Sequence, residues 1–320
     1  MGKFRCIDVV FLLLAPHNLL LSSRAALQRQ AVATVAKYED TMDEVRQTSE
    51  FLSGSNGKSI FTRQWTPAVA RGALVIVHGF GDHSGRYSNL AIELAGRGIQ
   101  VTAYDQRGHG RSPGRRGHVA RWSQYRTDLE WLLDRVRSEH PNLPLFLFGH
   151  SMGGLVSLEF LLQPRPVSGA IISAPPLDPS GVANPFLVGL AYLLSGILPW
   201  FRVPLPLHAA DLSRDPSAVA AFQADPLTFH QASARWGTEI LAARKRVLTS
   251  PESIRVPILF AHGEADRIAA VQGTRHFFDR LVCRDKELRT YPDAYHELHS
   301  DLNQQQVVTD YADWLARHIG

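Results

Sequence analysis

The sequence predicts an α/β fold, with a mostly parallel, doubly wound sheet and an inserted helical cap. Short apolar runs alternate with longer amphipathic stretches such as Tyr125 to Val136, as a parallel sheet covered by helices on both faces requires. A chain of 320 residues with 45% hydrophobic content can bury one large core. The chain shows no internal repeat or low-complexity tract.

The order of the predicted elements locates the chemistry. The core should open with a hairpin, in which Phe51-Leu52 and Ile60 to Trp65 flank a turn at Asn56-Gly57. Buried strands are then predicted over residues 74–77, 101–104, 145–148, 170–173, 256–261 and 288–291, and helices over 125–136, 155–162 and 305–319. Because ligands in such sheets bind beyond the carboxyl ends of the strands, the loops leaving these runs are the candidate functional segments.

Ser151 lies in the sequence Gly149-His150-Ser151-Met152-Gly153, between an apolar run and a helix-like stretch. A serine at a sharp strand-to-helix turn is exposed for nucleophilic attack, and glycines on both sides let strand and helix approach closely. A helix N-terminus with a capping serine is the structural alternative. The flanking strand and helix favour a hydrolase nucleophile.

The acid and the base of a catalytic triad follow in chain order, each after a predicted strand. Asp266 follows the strand at 256–261 and is expected to fix the histidine tautomer, with Glu264 and Asp293 as alternatives. His296 follows the next strand and is the expected general base, with His299 as its alternative. No metal is expected, because the run from His296 to His299 lacks the i,i+4 histidine spacing of zinc peptidases.

The loop after the strand at 74–77 supplies a candidate oxyanion hole. It reads His78-Gly79-Phe80-Gly81, and glycines on both sides allow the Phe80 amide to turn towards the serine. The Met152 amide, which follows the nucleophile, is the expected second donor. Each such donor lowers the barrier by about 3 kcal/mol. A plain glycine turn is the alternative.

These motifs together resemble one group within the α/β hydrolases, the monoacylglycerol lipases and lysophospholipases. The resemblance extends from about Ser59 to the C-terminus and is carried by residues 78–87, 105–112, 149–153, 265–267 and 294–296. It implies the α/β hydrolase fold, a serine esterase acting on single-chain acyl glycerols, and no cofactor. The run from His78 to Tyr87 is the most discriminating segment, because generic esterases of this fold share only its first glycines.

The resemblance also implies a polar pocket for the glycerol head group. By position in the motifs, this pocket should be lined by Asp82, Arg86 and His299. Relatives often carry a tyrosine that contacts the head group shortly before Asp225-Pro226, and this chain has Phe222 there.

Residues 176–254 break the strand–helix alternation and are interpreted as a cap between core segments 42–175 and 255–320. Within the cap, Pro185 to Pro206 is almost wholly apolar, but Gly196 and Pro199 divide it before it reaches the 20 or so residues of a membrane span. We expect a lid that lines an acyl-chain tunnel through Leu190 and Leu194 and that settles on a membrane or micelle. An ordinary buried cap helix is the alternative.

The first 41 residues do not fit the fold and are predicted to form a poorly ordered extension. Lys3 and Arg5 before an apolar run imitate a signal peptide, but Asp8 and Pro16 interrupt that run. The two cysteines, Cys6 and Cys283, are too few for a disulfide framework and favour a reducing compartment. The expected location is cytoplasmic, for an enzyme that is either soluble or peripherally associated with a membrane.

Charge and composition narrow the function classes. The net charge of +4 is modest for this length, and the local arginine cluster at residues 107–121 lacks the interleaved aromatics that stack bases, so no nucleic-acid partner is expected. The leading hypothesis is a serine hydrolase that cleaves monoacylglycerols through an acyl-enzyme. Lysophospholipase and short-chain carboxylesterase activities remain alternatives, as does a non-catalytic small-lipid receptor on the same scaffold.

Overall fold

The computed structural model describes residues 45–54, 57–178 and 185–320, and Val45–Gly320 forms one unit. The predicted extension at residues 1–41 lies outside these ranges, as do Asn56 of the predicted turn and part of the cap entry. The strands are β1 Arg46–Ser53, β2 Ser59–Thr66, β3 Gly72–Val77, β4 Ile99–Tyr104, β5 Leu145–His150, β6 Gly169–Ser173, β7 Arg202–Pro204, β8 Gln231–Ser233, β9 Ile258–Gly263 and β10 Lys286–Tyr291. The helices are α1 Ser88–Gly96, α2 Ser123–Glu139, α3 Met152–Leu161, α4 Pro185–Ile197, α5 Pro216–Ala224, α6 Ala234–Thr249, α7 Val271–Arg280 and α8 Gln304–Ile319.

In the described part of the chain, eight strands form the central sheet, in the order β1-β2-β4-β3-β5-β6-β9-β10. Of these eight strands, only β2 runs against its neighbours, and it forms the predicted opening hairpin with β1. Strands β3 to β6 and β9 are buried along their whole length, which explains why most of their residues are apolar; β4 also buries Gln100 and Thr102. The predicted α/β hydrolase fold is confirmed.

Two apolar clusters, one on each face, hold the sheet between its helices. On one face Trp314 and Tyr311 of α8 pack edge-on against Phe146 and Phe148 of β5. On the other, α2, α3 and α6 bury their apolar faces in a second cluster that includes Trp122. At about 25 cal/mol per Å² of apolar surface, this burial on both faces is the main force that fixes β5 at the centre.

The chain between β6 and β9 holds α4, α5, α6 and the β7–β8 pair, with β7 and β8 antiparallel. The cap boundaries at 176 and 254 stay a prediction. Within the described residues, no helix combines the length and apolar character needed to cross a membrane.

Candidate active site

Ser151 stands on a strained turn between β5 and α3. Its backbone angles, φ 52° and ψ −120°, lie in a region that residues other than glycine rarely adopt. The surrounding structure must therefore hold Ser151 in this conformation. A Cβ on Gly153 would collide with the carbonyl oxygen of Val77, and one on Gly149 would approach Ser157 Oγ to 2.5 Å. The two glycines thus permit the close packing of strands and helix on which the turn depends.

The three side chains predicted as a triad form one hydrogen-bonded chain. His296 Nε2 lies 2.9 Å from Ser151 Oγ, and His296 Nδ1 lies 2.7 Å from Asp266 Oδ2. The other oxygen of Asp266 accepts hydrogen bonds from the backbone N–H groups of Ile268 and Ala269. Asp266 and His296 are almost completely buried, so water does not compete for these bonds.

The residues considered as alternatives to Asp266 and His296 do not belong to this hydrogen-bonded chain. Glu264 accepts hydrogen bonds from Arg275 and Thr290, and Asp293 is an exposed turn residue with a φ of 60°. His299 is buried behind the site, where its ring stacks on Tyr87 with centroids 4.5 Å apart. Burial lowers the pKa of His299 to about 3 and keeps this ring neutral.

Charges around His296 set the protonation states of the chain. Burial by itself would lower the pKa of His296, but the Asp266 carboxylate raises it above the ordinary 6.5. Burial would raise the pKa of Asp266, yet the charge of His296 and the hydrogen bonds from His262 and His296 hold it well below its usual range. Asp266 therefore stays ionised and favours the imidazolium that forms when His296 takes a proton.

The loop predicted to supply an oxyanion donor packs directly against Ser151. A Cβ on Gly79 would lie 3.5 Å from Ser151 Cβ, which shows how close the two backbones are. The carbonyl of Gly81 accepts a hydrogen bond from the Phe229 N–H at 3.0 Å, so the cap fixes this loop. The Met152 amide is the first of α3, where helical N–H groups have no partner within the helix. The roles of the Phe80 and Met152 amides stay predictions.

A cavity of about 650 Å³ opens above Ser151, between the sheet edge and the cap. Its volume lies within the range typical of small-molecule sites. Its polar wall includes His150, Asp82 and Glu297. Its apolar wall is formed by Phe80, Leu207, Leu212, Phe222, Phe229 and Ile268. A molecule with one polar and one apolar part could therefore place an ester beside the serine.

A buried ion cluster supports the polar wall. The Arg86 guanidinium contacts the carboxylates of both Asp82 and Glu297 and stacks over the Phe222 ring at 4.6 Å. Tyr87 donates its phenol proton to Asp82 at 2.9 Å. Burial raises the pKa of Glu297, and the nearby Arg86 opposes that rise. The arginine thus pairs with both carboxylates inside the protein, and the carboxylates are the groups that line the cavity.

Four residues predicted to bind substrate or line its tunnel lie outside the cavity wall. Arg86 and His299 stand behind it, as described above, whereas Leu190 and Leu194 lie on α4. Leu190 is 37% exposed. Sequence reasoning missed Glu297, because its position next to His296 carries no signal for its contact with Arg86, 211 residues away.

Comparison with known proteins relates this site to a family. The profile of the serine aminopeptidase S33 family matches residues 68–303. The monoacylglycerol lipase of Mycolicibacterium smegmatis is 33% identical over 271 residues, which cover 84% of this chain and 96% of that protein.

Two solved structures are similar. The monoacylglycerol lipase of Paleococcus ferrophilus has a TM-score of 0.75 at 33% identity, over 81% of this chain and 99% of that one. A soluble variant of Saccharomyces cerevisiae monoglyceride lipase, in complex with a substrate analogue, has a TM-score of 0.78 at 26% identity, over 85% and 95% of the two chains. The chain therefore belongs to the serine aminopeptidase S33 family of α/β hydrolases.

Proposed function

We propose that this protein hydrolyses the ester bond of monoacylglycerols, releasing a fatty acid and glycerol. The observation that carries the proposal is the continuous hydrogen-bonded chain from Asp266 through His296 to Ser151, at the floor of a cavity with polar and apolar walls. The similarity to monoacylglycerol lipases over more than four fifths of the chain supports this substrate class.

The reaction begins with transfer of the Ser151 hydroxyl proton to His296 Nε2 while Oγ attacks the ester carbonyl. In this proposal the resulting oxyanion accepts hydrogen bonds from the Phe80 and Met152 amides. As the intermediate collapses, His296 gives its proton to the departing glycerol oxygen, and the acyl group remains on Ser151. Water then loses a proton to His296 and attacks the acyl-enzyme, which releases the fatty acid and restores the serine.

The walls of the cavity suggest how the substrate is oriented. Asp82 and Glu297 can accept hydrogen bonds from the glycerol hydroxyls, with Arg86 holding both carboxylates in place. The phenyl ring of Phe222 cannot donate a hydrogen bond, and it faces Arg86 instead. The acyl chain would lie along apolar side chains such as Leu212 and Ile268. Each methylene that it buries contributes up to about 0.8 kcal/mol.

We further propose that the cap contacts lipid surfaces. Nine of the thirteen exposed large hydrophobic side chains in the described ranges lie between Phe186 and Val203. Leu193 is 60% exposed and Ile197 is 66% exposed. A contiguous apolar face of this kind is costly in water and is typical of an interaction surface.

A hydrolysis panel tests the substrate class. We expect higher kcat/KM for monoacylglycerols than for di- and triacylglycerols, lysophospholipids and short-chain esters. A preference for lysophospholipids or for short-chain esters would instead support one of those two activities. Saturable lipid binding without turnover of any ester would indicate the non-catalytic receptor.

A further inference from the structure

A second cavity, of about 690 Å³, lies between the cap and the core helices α2 and α3. Four arginines and two glutamates line it, which gives this cavity two net positive charges. The charged side chains are Arg121, Arg126, Glu159, Arg235, Glu239 and Arg246. The remaining titratable group is His118, whose pKa is lowered by burial and then by the neighbouring Arg115 and Arg235, so it is neutral near pH 7.

Partners within the protein already engage both glutamates. Glu159, only 3% exposed, accepts a hydrogen bond from Arg246 at 2.6 Å. Glu239 accepts one from the backbone N–H of Trp122 at 2.6 Å. By contrast, no carboxylate within the described ranges pairs with Arg121 or Arg126. Their guanidinium groups can therefore bind an anion from outside the chain.

The arginine cavity adjoins the exposed apolar face of the cap. Pro199, which follows α4, lines the cavity, and its carbonyl accepts a hydrogen bond from the Arg235 N–H at 3.1 Å. The next two residues, Trp200 and Phe201, are about half exposed. Tryptophan favours the level of the lipid head groups. A lipid surface that receives these rings would bring its phosphates close to the arginines.

We propose that this arginine cavity binds the phosphate groups of anionic phospholipids while the apolar face of the cap enters the lipid surface. The proposal rests on the cap–lipid contact proposed above and adds a preference for negatively charged lipid. A basic residue at such a surface contributes about a five-fold gain in binding. Arg121 and Arg126 together should therefore contribute about 30-fold.

Sedimentation with vesicles tests the preference without any need for catalysis. The full chain carrying Ser151→Ala is mixed with vesicles of phosphatidylcholine, alone or mixed with phosphatidylglycerol. We expect the protein to bind the mixed vesicles more strongly than the pure phosphatidylcholine vesicles. Introducing Arg121→Gln and Arg126→Gln should weaken binding to the mixed vesicles by about 30-fold and leave binding to the pure vesicles unchanged. The matched control is Arg255→Gln with Arg284→Gln, which removes the same charge before β9 and β10, at the opposite sheet edge, and should change binding little.

The outcomes separate the two proposals. Equal binding of the parent protein to both vesicle types would overturn the anionic preference and leave the cap contact intact. An equal loss with the control pair would also overturn it, because the effect would then follow net charge rather than the cavity. Failure to bind either vesicle type would overturn the cap contact together with this proposal. Leu193→Asp should weaken binding to both vesicle types.

The loop that carries His296 is hydrogen-bonded to the cap through a buried carboxylate. Asp301, which has no solvent exposure, accepts hydrogen bonds from the backbone N–H groups of Tyr295 and Leu302, each at 2.8 Å. Both of its oxygens also accept from Nε of Arg214, a residue of the cap segment, at 3.1 and 3.0 Å. Asp301 therefore joins the catalytic loop to the cap.

Two further hydrogen bonds join the same segments. Ser213 Oγ donates to the Ser300 carbonyl at 2.9 Å, and the Glu297 N–H donates to the Leu212 carbonyl at 2.7 Å. Cap residues 212–214 thus hold the loop on the C-terminal side of His296, while the Tyr295 N–H holds it on the other side through Asp301. A shift of about 1 Å at His296 would be enough to lower the rate by about 100-fold.

We infer that the Arg214–Asp301 pair is a positioning device that keeps His296 in reach of Ser151. The test compares Arg214→Lys with Arg214→Gln on a soluble short-chain ester. For the glutamine variant we expect kcat to fall about 100-fold with KM almost unchanged, and phosphonylation of Ser151 by a fluorophosphonate to slow in parallel. Lysine keeps the charge but not the guanidinium geometry, and it should restore part of both rates.

Circular dichroism establishes whether these variants are folded. A folded glutamine variant that loses melting temperature but keeps kcat and the phosphonylation rate would show that the pair is only structural. A rise in KM with kcat unchanged would place the effect in substrate binding, and it would equally overturn the positioning role. If the glutamine variant does not fold, the lysine variant decides: an unchanged phosphonylation rate contradicts the inference.

Discussion

Replacing Asp266 by asparagine should abolish most catalysis while leaving the shape of the site unchanged. Oδ1 of Asp266 accepts two backbone N–H groups, whereas Oδ2 faces His296 at 2.7 Å and His262 at 3.2 Å. An asparagine must keep its carbonyl oxygen towards the backbone donors, so its NH₂ group would face His296 Nδ1. That nitrogen would have to accept, which leaves the imidazole proton on Nε2. His296 could then no longer take the proton from Ser151.

A histidine held in the wrong tautomer lowers kcat by about 10⁴, which corresponds to about 5.5 kcal/mol of barrier. The assay is kcat on a monoacylglycerol, with circular dichroism to establish folding. The matched control is Asp293→Asn, because Asp293 is exposed and asparagine tolerates its positive φ of 60°. Near-normal kcat in the Asp266 variant, or a large loss in the control, would refute the assignment of the acid.

Three further predictions follow from the site. Glu297→Gln should move the acid limb of the kcat/KM pH profile to lower pH. The negative charge of Glu297 raises the pKa of His296, and this histidine must be neutral to act as the proposed base. An acid limb at the same pH in the variant would contradict this prediction. Leu212→Ala should reduce kcat/KM progressively as the acyl chain lengthens, by up to about 0.8 kcal/mol per methylene that loses contact. Leu190→Asp, by contrast, should lower activity only on substrate carried in vesicles. An equal loss of kcat/KM at all chain lengths for Leu212→Ala would show that this wall of the cavity does not hold the acyl chain. A chain that begins at Met42 should keep its activity and melting temperature, because the first strand of the described sheet begins at Arg46. A large fall in either would contradict the predicted domain boundary.

The parts of the candidate site that follow strand ends carry local signals in the sequence. Apolar runs identify the buried strands, and topology alone brings the loops after β5, β9 and β10 to one edge of the sheet. The glycines around Ser151 predict the turn, because only they permit its close packing. Short motifs therefore indicated Asp266 and His296, whose catalytic roles stay predictions, and the structure joins both side chains to Ser151 in one hydrogen-bonded chain.

Pairings between distant segments could not be predicted in this way. Arg86 and Glu297 are 211 positions apart, and Arg214 and Asp301 are 87 apart, so no periodicity or spacing relates them. The prediction that Leu190 and Leu194 line an acyl-chain tunnel also rested on local composition alone. The composition of residues 186–201 shows an apolar helix but not which way it faces, and the structure leaves much of that face exposed while Leu207 and Leu212 line the cavity.

Labelling with a long-chain alkyl fluorophosphonate tests the central claim most directly. The reagent needs a nucleophile activated by His296 and an apolar wall for its chain. We predict one phosphonyl group per protein, located on Ser151 by peptide mass spectrometry, with activity lost in proportion and with labelling slowed by added monoacylglycerol. Labelling at another residue, or labelling of Ser151 that monoacylglycerol does not slow, would contradict the proposed site and substrate.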